Sequence, residues 1–561
     1  MSKPVERGLW WVKRDFRIRD NDALNYAIEQ CETVTALFVV EPSLCRASES
    51  SLFHYNAWRQ AADHLAQQLH AIGGHLLVVQ GEVVEVLERI RNQDGFDAIF
   101  SHQETGSSIT YERDKCVQQW AHRHDIPWHE LHQNGVIRAL KSRDTRQPII
   151  KQRLMNTTPA PAPTQMRSWV VKALSNDSAV CSDSQATDSV APQMERLSAS
   201  AADRGVKPSI KWPEFETLSG RDKDHRIDLT ITQTIDEQHA EALWRSFLYE
   251  RGLQYSGGIS SPNTAFHAGS RLSAHLAWGT ISLRRVFHEL WQREKELKGA
   301  NDPSSIRWRK SLKAFQSRLH WHDHFIQRLE SAPHMEFEAL NPAYQQVTYG
   351  DNDALLHAWE YGKTGLPIVD ACMRCLATTG FLNFRMRAMV VSTGCFGLAQ
   401  SWHSLHAPLA RVFLDYEPGI HFSQIQMQAG IVGINTLRIY SPHKQLLEQD
   451  AQATFVKRWI PELREFDATQ IANYEHQVLG DYPEPVTDTK ANTQRIRDQI
   501  YKIRKSKDGQ AASEEVLVKH GSRLPGNDRN RKRKSPRSGP TNSSRSKATA
   551  ASKQMQLDFD S

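Results

Sequence analysis

The chain lacks any run of eighteen or more apolar residues, so no membrane-spanning helix is expected. Its first residues, MSKPVERGLWWVKRDF, lack the apolar stretch of a secretory leader. Cysteine is scarce: seven in 561 residues, irregularly spaced, with none after Cys395. This argues against a disulfide framework and for a reducing compartment, the cytoplasm, with association with the nucleoid if the source is bacterial. Cys372 and Cys375 form a C-x-x-C, but no second cysteine or histidine pair accompanies them. They read as small core residues, and no metal site is expected. His320, His322 and His324 point the same way, because alternate residues on a helix face different directions. An excess of positive charge is also missing from the body. Residues 501–561 hold fifteen Lys and Arg against six acids, so with a net charge of +6 the rest is about three units negative.

Tryptophan is what the chain has in plenty, with fifteen residues. Residues 1–135 alternate strand-like segments (Gly8–Val12, Thr33–Val40, His75–Gln80, Ala98–Ser101) with amphipathic stretches at Tyr55–Ile72 and Glu82–Arg91. That alternation predicts an α/β domain built on a parallel sheet. Glu104–Ser108 falls at a strand end, where such folds place ligands. Residues 136–240 read as a crossover, and its segment 175–204, rich in Ser, Ala, Asp and Gln, is expected to be mobile. Residues 241–470 carry an almost wholly helical pattern. Residues 471–561 form a C-terminal extension, expected to be disordered after about residue 521.

The densest motif is WEYGKTGLPIVDACMRCLATTGFLNFRMR at residues 359–387. Pro367 suits a first helical turn, and Gly380 suits a helix end. Asp370 and Arg374 stand four apart, where they can pair. This string resembles the flavin-binding core of the photolyase/cryptochrome family. So do Gly269–Gly279 (GSRLSAHLAWG), Arg438–Gln445 (RIYSPHKQ), Trp459–Leu463 (WIPEL) and, near the start, WVKRDFR from Trp11 and DNDAL from Asp20. The likeness covers roughly residues 8–465.

The resemblance implies an N-terminal parallel-sheet antenna domain, an all-α FAD domain and a disordered basic tail. It implies FAD as cofactor and a second antenna chromophore whose type no motif selects. The implied activity is blue-light-driven electron transfer to cyclobutane pyrimidine dimers in DNA. The alternative is a cryptochrome-type photoreceptor using the same flavin domain for signalling.

Residue by residue, the resemblance assigns Tyr255, Ser270, Arg271, Leu272 and Ser273 to the FAD phosphate side. There backbone N–H groups at a helix start favour an anion. It assigns Arg387 and Asp415 to the ring side as a pair, with Glu417 where the family usually has a second aspartate. His421 falls at the position nearest flavin N5, with Gln424 and Gln426 as competitors. A histidine there could be neutral or charged near neutral pH. The tryptophan relay of the family becomes Ile425, Trp402 and Tyr349, so it is interrupted at its first step, and Trp359 and Trp321 are other aromatics for a route. On the DNA side, Trp321 matches the tryptophan that stacks on the flipped lesion. Asn383 and Gln445 match lesion-side polar positions. Arg318 replaces the usual glutamate, with Asp323 or a histidine as substitute acid.

Beyond the likeness, Arg529–Arg537 form a basic run suited to DNA phosphates. The last residues, QMQLDFDS from Gln554, resemble peptides that dock on a bacterial sliding clamp. DNA, and through this peptide a clamp, are the expected partners of a monomer.

Overall fold

The structure, a computed structural model, describes residues 5–171 and 210–522. The segment 175–204 and the tail from residue 523, with its basic run and docking peptide, lie outside the described residues. No helix among the described residues is long and apolar enough to cross a membrane.

Five parallel strands form one sheet: β1 (Val5–Val12), β2 (Cys31–Val40), β3 (Leu76–Gln80), β4 (Ala98–His102) and β5 (Trp128–Leu131), in the order β3-β2-β1-β4-β5. The central strands are apolar on both faces, as a sheet covered by helices on each side requires. α1 (Leu52–Ala71) is one of those covering helices. β5 was not anticipated, because WHEL is short, half polar and at an edge. The strand order reverses between β1 and β4, which opens a crevice at their carboxyl ends.

The rest of the described chain is helical. The elements that matter for the site are α2 (Ser273–Ala277), α3 (Pro303–Ser331), α4 (Pro367–Thr379), α5 (Phe384–Ser392), α6 (Trp402–Val412) and α7 (Pro418–Gln428). α3 and α7 pack so closely that a Cβ on Gly419 would lie 2.5 Å from Ile326 Cα. α4 starts with a proline in its first turn and ends at Gly380, whose φ of 71° suits glycine. Asp370 and Arg374 do not pair, contrary to the i,i+4 expectation. Asp370 is fully buried and accepts from the Thr364 and Gly365 N–H groups and from the Thr364 and Tyr482 hydroxyls. Arg374 turns to Glu462 at 2.8 Å. The loop before the helix offers Asp370 three donors and Tyr482 a fourth, where one guanidinium fork would offer a carboxylate two.

Two more helices, α8 (Thr489–Lys505) and α9 (Lys507–His520), follow. Ile496, Ile500, Ile503 and Val516 join the same apolar core as α4–α7. The expected boundary at residue 470 therefore falls inside a continuous core.

The N-terminal motif holds the two parts together. Arg14 donates to the Ala277 and Tyr416 carbonyls at 2.8 and 2.9 Å, and its guanidinium lies 3.4 Å from Glu417. Gly279, at φ 69°, lets the chains meet there, since a Cβ would lie 1.9 Å from the Arg14 carbonyl oxygen.

Candidate functional site

A cavity of about 360 Å³ opens among α2, α3, α5 and α7 and the loop before α2. Ten of the residues assigned from sequence line it: Tyr255, Ser270, Arg271, Ser273, Trp321 and Asn383, together with Arg387, Asp415, Glu417 and His421. They come from segments spread over more than 160 positions, so only the folded chain gathers them.

Arg387 and Asp415 form a two-pronged ion pair, with both N–H···O distances at 2.9 Å. The planar guanidinium fork matches the carboxylate. Burial by itself would raise the Asp415 carboxyl. The Arg387 charge and hydrogen bonds from Arg387 and Ser273 hold it below the ordinary range. The Arg387 guanidinium also lies 4.3 Å from the centre of the Phe413 ring.

Arg271 is buried between the rings of Phe266 and Phe381, each 3.8 Å from its guanidinium carbon. Its Nε donates to Gln233, while its Nη1 has no hydrogen-bond partner among the described residues. Burial pushes it down to about 9, which still leaves it charged at neutral pH. A buried cation facing a cavity with an unused donor calls for an anion. The wall has further unused groups: Asn383 Oδ1, Glu417 Oε1, His421 Nε2 and Gln424 Oε1 are buried without partners among the described residues. Those four atoms are acceptors and suit N–H or O–H donors of a ligand, while Arg271 Nη1 suits its anionic part, so the cavity fits a cofactor that carries both.

His421 is neutral, because burial and the nearby His406 push it down to about 3. It shares a hydrogen bond with the His406 backbone, so its unpartnered Nε2 is an acceptor. Of the two forms the sequence left open, this environment favours the neutral one. Gln424 lines the cavity too, but Gln426 does not: it is spent on the Met335 and Glu338 carbonyls and the Leu340 N–H. Arg318 lines the wall and hydrogen-bonds Tyr255. Trp321 stacks on Phe325, with ring centres 5.5 Å apart.

Three assigned residues lie elsewhere. Leu272 is buried in an apolar cluster behind the wall. Trp402 sits one layer back, its ring 6.5 Å from Phe422. Gln445 is buried on the helix Pro442–Gln449 and does not reach the cavity. Tyr349 and Trp359 also lie off the wall, and the Trp359 ring N–H is spent on the Val390 carbonyl. Asp323 cannot replace the lost glutamate: it is buried outside this cavity and accepts from the Gly135 N–H at 3.0 Å. His322, on the same helix, does line the wall.

Sequence reasoning passed over Tyr416. It lines this cavity and also a second one, of about 100 Å³, in the crevice at the ends of β1, β2 and β4. Tyr416 stacks on His54 at 5.6 Å, and His54 packs on Trp278 at 5.5 Å. The position next to Asp415 was the available signal. In the second cavity Arg113 is ion-paired to Glu41 at 3.0 Å and to Asp114 at 2.8 Å.

Two family models match the chain: DNA photolyase over residues 8–150 and the FAD binding domain of DNA photolyase over residues 315–502. The chain is 24% identical over 494 residues to a deoxyribodipyrimidine photo-lyase of Synechococcus sp., across 87% of this chain and 94% of that one. It is 25% identical over 518 residues to cryptochrome DASH of Natronomonas pharaonis, across 88% and 100%. Among solved structures, an archaeal photolyase from Sulfolobus tokodaii with two FAD molecules superposes with a TM-score of 0.66 at 21% identity. That superposition covers 88% of this chain and 99% of that one.

Proposed function

Since the chain belongs to the photolyase/cryptochrome family and its cofactor is FAD, we propose that it is a blue-light-driven lyase repairing cyclobutane pyrimidine dimers in DNA. The observation that carries this reading is one cavity walled by both the Arg387–Asp415 pair and the ring of Trp321. Such a cavity can bring a turned-out base beside a flavin.

Arg271, with the backbone around Ser270 and Ser273, would hold the cofactor's phosphates. The Arg387–Asp415 pair and His421 would border its ring system. The chemistry supplied by bound, reduced FAD is a light-driven electron, lent to the dimer while its two linking bonds break and then returned. Trp321 offers a stacking face to a base turned out of the duplex, a contact worth about 1–3 kcal/mol. Arg318, held against Tyr255, puts N–H donors and a permanent charge where pyrimidine carbonyls gain negative charge. His421, being neutral, adds no competing cation.

We place a second chromophore, if one is used, in the crevice cavity, where it would be smaller than the group in the first. The basic run and the clamp-docking peptide would tether a monomer to cytoplasmic DNA. Titrating residues 548–561 against a bacterial clamp, beside a Leu557→Ala/Phe559→Ala control, tests the docking.

Arg318 in place of an acid favours a second reading, a photoreceptor that binds FAD but does not repair. One experiment separates the two. The reduced protein is given dimer-containing DNA under blue light, with a dark control. Light-dependent loss of dimers is expected, and its absence in a protein that binds FAD overturns the repair reading.

A further inference from the structure

A small polar cavity of about 30 Å³ lies on the seam where the carboxyl ends of β1, β4 and β5 meet α2, α3 and the start of α7. It shares walls with both larger cavities. Glu417 and His322 line it and the flavin cavity, while Arg14 and Glu104 line it and the crevice cavity. Gln133 and Asn134 add further polar wall. About 10–15 Å³ on this scale holds one water, which needs two to four polar partners, so the cavity suits about two waters.

Glu417 faces this cavity on one side and the flavin cavity on the other. Its Oε2 lies 3.4 Å from Arg14 Nη1, and the other Arg14 nitrogens are spent on the Ala277 and Tyr416 carbonyls. Its Oε1 is buried with no hydrogen-bond partner among the described residues. An ionised oxygen left bare in that position is costly, whereas a protonated one can donate to a water. Burial raises this carboxyl, and Glu104 adds to the effect, against Arg14, His322 and the Gly419 N–H. The other carboxyl on the flavin wall, Asp415, is held ionised by Arg387, and His421 presents an acceptor. Neither of them is a ready source of a proton.

We propose that Glu417 carries protons between the flavin cavity and the crevice cavity, joined to Glu104 by a file of about two waters. Reducing a flavin ring adds electrons and a proton. The electrons come from an external thiol, which is oxidised to a disulfide and sheds its own protons to solvent. Glu417 gives up its proton on the flavin side and takes one back through the waters. Glu104 supplies that proton and regains it from water in the crevice, so both carboxyls end as they began. A positioned acid can act through one intervening water. The proposal rests on FAD as the cofactor and not on repair.

The test therefore uses the full-length, FAD-loaded protein without DNA. An infrared carbonyl band of a protonated carboxyl is expected in the parent and should be missing in Glu417→Gln. Transfer to D2O shifts that band as the carboxyl exchanges its proton. Glu104→Gln should slow the exchange by about a hundredfold, the low end of what a positioned acid–base group contributes. Glu104→Asp keeps a carboxyl and should exchange nearly as fast as the parent, which separates proton passage from packing. The proposal is overturned if no band depends on Glu417, if Glu104→Gln exchanges as fast as the parent, or if Glu104→Asp is as slow as Glu104→Gln. If a variant does not fold, crystals of the unsubstituted protein decide. Ordered water between Glu417 Oε1 and Glu104 supports the route, and a dry cavity refutes it.

Discussion

Asp415→Ala should damage the protein in two ways that can be separated. In the folded chain the carboxylate accepts both prongs of Arg387 at 2.9 Å. Removing it leaves the guanidinium against the Phe413 ring without a counter-charge. Breaking a buried pair in this way costs about 3–5 kcal/mol. The Arg387 side chain keeps 24% of its exposure, so water recovers part of that, and we expect about 3 kcal/mol. The double variant Asp415→Ala/Arg387→Met removes the stranded charge and should regain most of the lost stability. Neither variant should keep FAD, because both lose the polar edge of the cavity. The pH dependence has a definite sign. Asp415 titrates lower folded than unfolded, so its contribution is full above the ordinary aspartate value of about 3.9 and is lost as pH falls through the lowered one. The gap between parent and Asp415→Ala should therefore close in strong acid. Urea melts give the stability, and flavin absorbance per protein gives the occupancy. Full occupancy with unchanged stability in Asp415→Ala would refute the reasoning. A double variant no more stable than the single one would show that the stranded charge is not the cause.

Trp321→Ala should weaken binding to dimer-containing DNA by about 1–3 kcal/mol at a fixed salt concentration while leaving undamaged duplex nearly unchanged; equal losses on both would contradict a flipped-base pocket. Ile425→Trp places an oxidisable ring on the cavity wall and should speed light-driven flavin reduction by an added thiol; the readout is loss of oxidised-flavin absorbance, and unchanged kinetics would mean that another route dominates. Burial pushes His54 down to about 4 and His275 to about 3, and burial with the nearby His406 pushes His421 to about 3, so each stays neutral when folded but gains a proton near pH 6.5 when unfolded. Their contribution is full above pH 6.5 and fades toward pH 4, so the melting temperature should fall over that interval; a flat profile would count against buried neutral histidines.

Much of the fold could be read from residue order. The β1, β2, β3 and β4 segments show as branched and aromatic runs, and Pro367 and Gly380 bracket a helix as their backbone preferences dictate. What failed shares one cause: local spacing does not say what a distant segment supplies. Asp370 and Arg374 have pairing geometry on a helix, but the Thr364 loop and Tyr482 take the aspartate first. Asp323 sits two residues from Trp321, yet helical rotation carries it to the far side, against Gly135. Gln426 aligns as well as Gln424 near the presumed ring, but only the three-dimensional chain reveals that the Met335–Leu340 segment claims it. Tyr416 bridges two cavities only because a loop of the helical part meets the end of a strand of the sheet, and no sequence period encodes that meeting.

The charge around the main cavity ties the departures together. Four arginines line it, Arg271, Arg318, Arg385 and Arg387, against two acids, Asp415 and Glu417. Burial raises the Glu417 carboxyl despite the opposing Arg14. A dinucleotide cofactor with two ionised phosphates brings about the charge this wall lacks, and a wall short of acid is what holds such an anion. Arg318 accounts for much of that excess, because the glutamate usual at its position would turn the surplus of two into balance. The substitution is therefore more than a lost lesion contact. Under the proposed function it would strengthen the hold on an anionic cofactor and add an attractive charge for a pyrimidine that is gaining an electron. Only the second effect, a positive charge beside a base that gains an electron, would favour the transfer that the proposed repair requires.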